Sequence, residues 1–152
     1  MKKLTLLFVM LFALRGYGQD VPAIYADTAD HWLVNRAAAL LQDDIERVTG
    51  KRPALLTSLP KTATPQLIII GSLDGSPLIQ QLAKDRRISA ERIKSKWESF
   101  LLKSIPHLRP NIGQALVITG SDRRATAYGV FHLSQSIGVS PLVLVGRRPR
   151  CT

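Results

Sequence analysis

Apolar runs that suit strands alternate along residues 20 to 141 with segments whose apolar positions recur at helical spacing. Val21 to Tyr25 is a short strand. Asp27, Thr28 and Asp30 offer N-caps for a helix over roughly Asp30 to Thr49, in which Leu33, Ala37, Leu40, Leu41, Ile45 and Val48 follow a 3.6-residue period. Arg36, Asp43, Glu46 and Arg47 occupy its polar face, and Gly50 is the natural residue to end it. Pro53 to Thr57 reads as an edge strand, because its leading proline cannot donate to a sheet ladder. Leu67 to Ile70, closed by Gly71, is a continuous run that suits a central strand covered on both faces. Ser76 and Pro77 supply an N-cap and a first-turn proline for a helix through Leu78, Ile79 and Leu82. Ser89 caps a helical turn over Glu91 to Ile93, and Trp97 to Ile105 resembles an extended strand. Ala115 to Thr119 is a second buried strand, expected beside Leu67 to Ile70. Gly120-Ser121-Asp122 then turns the chain into a helix from about Arg123 to Ile137, packed through Tyr128, Phe131, Leu133, Ser134 and Ile137 and ended by Gly138. Gly129 inside that helix implies close approach to a sheet. The alternation predicts a single α/β domain, with a mixed, largely buried sheet and helices packed on it.

The first residues set a compartment. Lys2 and Lys3 precede an apolar run from Leu4 to Leu14, and small residues stand at Gly16 and Gly18, the pattern of a secretory signal peptide over residues 1–18. The run is too short to span about 30 Å of hydrocarbon, so a periplasmic or secreted product with no membrane anchor is expected. Cleavage after Gly18 leaves 134 of the 152 residues, enough for one core. The formal charge of +10 looks like a nucleic-acid signature until it is partitioned. Setting aside Lys2, Lys3 and Arg15, then Arg147, Arg148 and Arg150, leaves +4, dispersed among acids and not interleaved with aromatics. No nucleic-acid partner is expected. Cys151 is the one cysteine, which excludes an internal disulfide and a thiolate metal cluster, so the core must hold by packing.

The most distinctive segment for chemistry is Gly120 to Gly129, where Ser121, Asp122, Arg123, Arg124 and Tyr128 are candidate contacts for a ligand or another domain. A strand, a glycine turn and a helix N-terminus together can hold an anion. The Walker lysine is absent, however, and the glycines lack dinucleotide-binding spacing. The structural alternative makes Ser121 or Asp122 the N-cap and Tyr128 and Gly129 packing residues. His31, His107 and His132 form no ligating pair, so surface or capping roles are expected and no metal or cofactor is implied. Asp43 and Asp44 are adjacent on a helix and cannot share a site. Trp32 and Trp97 are core residues or sugar-stacking platforms. No nucleophile with its base, and no acid with an oxyanion site, assembles from the chain.

Four separated blocks carry a resemblance: Gln42 to Pro53, Ile68 to Gly71, Lys96 to Phe100, and above all Ala115 to Pro141. Together they resemble the N-terminal region of glycoside hydrolase family 115. The resemblance implies exported exo-acting α-glucuronidases that remove glucuronic acid or its 4-O-methyl form from xylan, with catalytic acids in a barrel that follows. It also implies an accessory α/β domain over residues 19–141, akin to those of family 67 α-glucuronidases and family 20 hexosaminidases, and no catalytic residue here. Ala125 departs from the pattern, since many members have glycine there. From Leu142 the chain reads Leu-Val-Leu-Val-Gly-Arg-Arg-Pro-Arg, where the family continues Trp-Tyr-Trp-Trp-Ala-Asp-Val-Pro. Codons exist for Leu142 to Arg150 that give that family string once the first base is dropped. The expectation is a one-base insertion near the codon of Pro141, which leaves residues 142–152 as an aberrant tail. A domain parted from its barrel is expected to be inactive and prone to self-association around the Gly120 to Tyr128 turn and the end of the following helix. A freestanding carbohydrate-binding or protein-interaction domain is the alternative.

Overall fold

The computed structural model describes residues 21–139, so the expected signal peptide (1–18) and tail (142–152) lie outside the described residues. Strands β1 (Ala23–Ala26), β2 (Leu55–Leu56), β3 (Thr64–Ser72), β4 (Phe100–Arg109) and β5 (Ile112–Gly120) form one sheet in the order β2-β1-β3-β5-β4. The first three and β5 run parallel, and β4 returns antiparallel along β5. Four helices, α1 (Trp32–Thr49), α2 (Pro77–Lys84), α3 (Glu91–Lys94) and α4 (Arg123–Ser136), complete the described body. Among these residues no helix is long and apolar enough to cross a membrane.

The sheet centre follows from the apolar runs. Because side chains alternate across a strand, Leu67 and Ile69 of β3 enter one core while Ile68 and Ile70 enter the other. A strand with helices on both faces has no polar side, which is why the run is unbroken. Leu67 stands opposite Ala115, Ile69 opposite Val117 and Ile70 opposite Ile118, so β3 and β5 are neighbours as expected. On one face α1 and α4 bury Val34, Leu41, Ile45 and Val130 against Ile24, Ile68, Ile70 and Ile118. On the other, Ile79, Leu82 and Ile88 cover Tyr25, Leu67, Ile69 and Val117.

The local signals that hold are caps. Gly50 adopts the left-handed conformation (φ 74°) and donates its N–H to the Glu46 carbonyl, ending α1. Ser76 caps α2, whose first residue is Pro77. The start of α1 differs: the cap position belongs to His31, Asp27 accepts the Ala29 N–H within the preceding loop, and Asp30 gives its carboxylate to the His31 N–H and to Ser72. Its buried arc is also rotated toward Val34 and Ala38, while Val48 is 49% exposed. The reason is that α1 packs against α4 as well as the sheet, so one stripe must serve two neighbours. In α4 the packed face is Ala125, Thr126, Ala127, Gly129, Val130 and Ser134; Tyr128 and Phe131, expected to pack, point outward. Gly129 does mark close approach, since a Cβ there would lie 2.9 Å from Ile118 Cγ2.

The expected strand at Trp97 to Ile105 begins later, at Phe100, and runs on to Arg109, because it pairs with β5 as a hairpin closed at Pro110 and Asn111. As the outer strand it tolerates Pro106, and a register shift between Pro106 and Arg109 accommodates His107 at φ 47°. Ser89 makes no side-chain cap for α3; its carbonyl accepts the Arg92 N–H instead.

Candidate functional site

The parallel strands β1, β3 and β5 end together at Ala26, Ser72 and Gly120, and the loops beyond them diverge to opposite faces of the sheet. The crevice outside such strand ends is where open α/β sheets bind ligands. It is organised around Asp30, which is 5% exposed. Its carboxylate accepts the Ser72 N–H at 2.7 Å, the Ser72 hydroxyl at 2.6 Å and the His31 N–H at 2.7 Å. A buried charge this well partnered ties the β1–α1 loop to the end of β3. Beside it, His31 Nε2 lies 3.1 Å from Asp74 Oδ2. Burial opposes ionisation of Asp74, but hydrogen bonding, that of His31 included, prevails and holds its carboxyl below the ordinary carboxylate value.

The residues singled out after β5 fall at the same end of the sheet. Asp122 is the N-cap of α4: its Oδ1 accepts the N–H groups of Arg124 at 2.8 Å and Ala125 at 2.9 Å. Two of the donors that would hold an anion are therefore already occupied by the chain's own carboxylate. Replacing Asp122 with Ala should cost about 1–2 kcal/mol in urea unfolding, with Asp122→Ser recovering most of it; an unchanged midpoint for Asp122→Ala would remove the cap from the account. Ser121 is held through its N–H, which donates to the Ser99 carbonyl at 2.8 Å. Arg123 is exposed. Arg124 Nη2 sits 3.0 Å from Glu98 Oε1, and the Tyr128 hydroxyl, then Glu98, favour its charged form.

No local signal marks Glu98 as a member of this cluster, because the β4–β5 pairing is what brings it to Arg124. Trp32 and Trp97, for which a core position was the simpler expectation, are 75% and 83% exposed. His31 and His132 behave as surface histidines, His132 resting its ring 5.6 Å from that of Phe100. The described residues hold no group of three metal-ligating side chains. Asp43 and Asp44 do point apart: Asp43 meets Arg52 at 2.9 Å and Asp44 meets Arg47 at 3.4 Å. Arg52 also binds Glu46 and the Gln42 amide oxygen, so the Gln42 to Pro53 block clamps the end of α1. Each carboxylate at the crevice is thus engaged: Asp30 with Ser72, Asp74 with His31, Asp122 with the α4 N-terminus and Glu98 with Arg124.

A cavity of about 560 Å³ opens at the opposite end of the sheet, between the C-termini of α1 and α4. Val48, Leu116, Leu133 and Ile137 give it an apolar floor, and Thr49, Gln66 and Gln114 its polar rim. The 14 residues of α4 span about 21 Å. The Gly120 to Tyr128 turn and the end of that helix, the two places where self-association is expected, therefore lie far apart.

No family model and no curated protein matches the chain. Solved structures do. One, described as a novel family GH115 4-O-methyl-α-glucuronidase, BtGH115A, with specificity for decorated arabinogalactans, is 30% identical over 80% of this chain with a TM-score of 0.59. Another, CpGH84D, is 9% identical over 79% of this chain with a TM-score of 0.52, which speaks for the fold alone. This chain spans 14% of the length of the first and 18% of the second. Its mixed α/β architecture is a glycoside hydrolase-like fold.

Proposed function

We propose that this chain is the N-terminal, non-catalytic domain of an exported α-glucuronidase-like glycoside hydrolase, inactive by itself and built to support a catalytic barrel. The observation that carries this reading is the 30% identity over 80% of the chain to a 4-O-methyl-α-glucuronidase in which the matched portion is 14% of the whole. The apolar cavity beside the end of α4 offers a surface for the barrel to cover, and its exposure favours self-association when the barrel is missing. The substrate of the whole enzyme is a polysaccharide bearing glucuronic acid side chains, xylan by the resemblance or an arabinogalactan as for the similar enzyme.

The test has two arms. The purified chain should release no glucuronic acid from glucuronoxylan or decorated arabinogalactan above a buffer control. The gene with one base removed near the codon of Pro141 should direct a longer protein that does release it. Activity in the first arm defeats the non-catalytic reading. Absence of a barrel-encoding frame in the second, together with a cleanly monomeric chain, defeats the reading as a hydrolase domain.

A further inference from the structure

Beside the crevice, Glu98, Arg124 and Tyr128 are drawn together, and with Trp97, the residue before Glu98, they make a rim of aromatic and charged side chains. Trp97 leaves 83% of a large apolar side chain in water, and Tyr128 is 42% exposed. Glu98, although not glycine, sits at φ 49°, a conformation that costs on the order of 1–3 kcal/mol and persists where the surroundings enforce it. What it achieves is visible: the carboxylate meets the guanidinium of Arg124, 3.0 Å away, across the gap between the β4 entrance and α4. The Ser121 N–H to Ser99 carbonyl bond fixes the two segments to each other.

The same set fits a saccharide. A pyranose ring has an apolar face of C–H groups, which an indole covers, and an edge of vicinal hydroxyls. A carboxylate accepts from two such hydroxyls, a guanidinium donates to two through its planar fork, and a phenol serves in either sense.

We propose that Trp97, Glu98, Arg124 and Tyr128 form an accessory subsite that binds one sugar unit of a polysaccharide chain without cleaving it. The ligand class rests on the reading of the chain as part of a saccharide-degrading enzyme; the location rests on the rim alone. Such a subsite would hold substrate near the catalytic barrel.

The chain has two tryptophans, so Trp32→Phe leaves Trp97 as its sole indole. Titrating that variant with xylo-oligosaccharides and with arabinogalactan oligosaccharides should give a saturable change in fluorescence with at least one of them. Calorimetry on the otherwise native chain should show binding abolished by Trp97→Ala and weakened about tenfold, or about 1.4 kcal/mol, by Arg124→Ala. Arg124→Lys should stay weak, since an ammonium lacks the fork, and Trp32→Ala should bind normally. All these side chains are substantially exposed, so the fold should survive each change. No saturable response up to the solubility limit, or equal affinity for Trp97→Ala, overturns the subsite. Either result, alongside glucuronidase activity from the frame-restored gene, removes the subsite and leaves the reading as a hydrolase domain intact.

Discussion

Replacing Asp30 with Ala should lower the unfolding free energy of the chain by about 3 kcal/mol, measured by urea denaturation. Three hydrogen bonds to the carboxylate disappear, two of them from the fully buried Ser72 and one from the His31 N–H. Bonds to a charged group contribute about 1.5–3 kcal/mol each, and a stranded buried donor adds its own desolvation cost. Removing the charge recovers part of its burial penalty, which keeps the estimate well under the sum. Ser72→Ala removes the hydroxyl, which also accepts the Gly75 N–H at 3.0 Å, but keeps its own N–H on Asp30, so about 2 kcal/mol is expected there. The ordering matters more than either value. A loss below about 1 kcal/mol for Asp30→Ala, or a larger one for Ser72→Ala, would show that the crevice is not organised around this carboxylate.

Asp30 also shows where reading the chain alone stops. An aspartate just before a helix reads as a cap, and nothing local to residue 30 points to Ser72, 42 residues on. The central strands were legible because burial on both faces leaves an unbroken apolar run, and Gly50, Ser76 and Asp122 were legible because caps are local. The packed arcs of α1 and α4 were misjudged in the same sense. Periodicity locates an apolar stripe, whereas the two helices share an interface that rotates each arc toward small residues such as Ala38 and Ala127. Trp97, Glu98 and Arg124 required the antiparallel return of β4, a pairing that an amphipathic pattern on an outer strand does not announce. Of the rim proposed to hold a sugar, Arg124 and Tyr128 stood out by position and Trp97 as a sugar-stacking candidate, while Glu98 and its pairing with Arg124 came only with the fold.

Two glycines, Gly120 at the end of β5 and Gly129 in the interior of α4, should separate sharply when each is changed to alanine. A Cβ on Gly120 would stand 2.2 Å from the Thr126 nitrogen and 2.5 Å from the Ala125 carbonyl carbon, with the Ala125 methyl at 2.7 Å. These are mostly backbone atoms of the helix's first turn, held by the Asp122 cap and by the Gly120 N–H, which donates to Thr126 Oγ1 at 3.1 Å. No rotamer change relieves such a contact, so the whole helix start must move off the sheet end. Ala125 is itself fully buried, which leaves it no room to retreat. A loss of about 4 kcal/mol is expected, enough to consume most of a small domain's stability. At Gly129 the neighbours are side-chain atoms, Ile118 Cγ2 at 2.9 Å and the Cβ and Cδ2 of Phe100 at 3.3 Å; Phe100 is 36% exposed, so its ring can swing outward while its Cβ contact needs a shift of only a few tenths of an ångström. Overpacking there costs about 1–3 kcal/mol, against which alanine in a helix interior recovers about 1 kcal/mol relative to glycine. Gly129→Ala should therefore be destabilised by about 1 kcal/mol and still fold, while Gly120→Ala should express poorly or unfold at low urea. Comparable midpoints for the two variants would mean that α4 does not start against the end of β5, and with that contact gone the rim of Arg124 and Glu98 would lose its support.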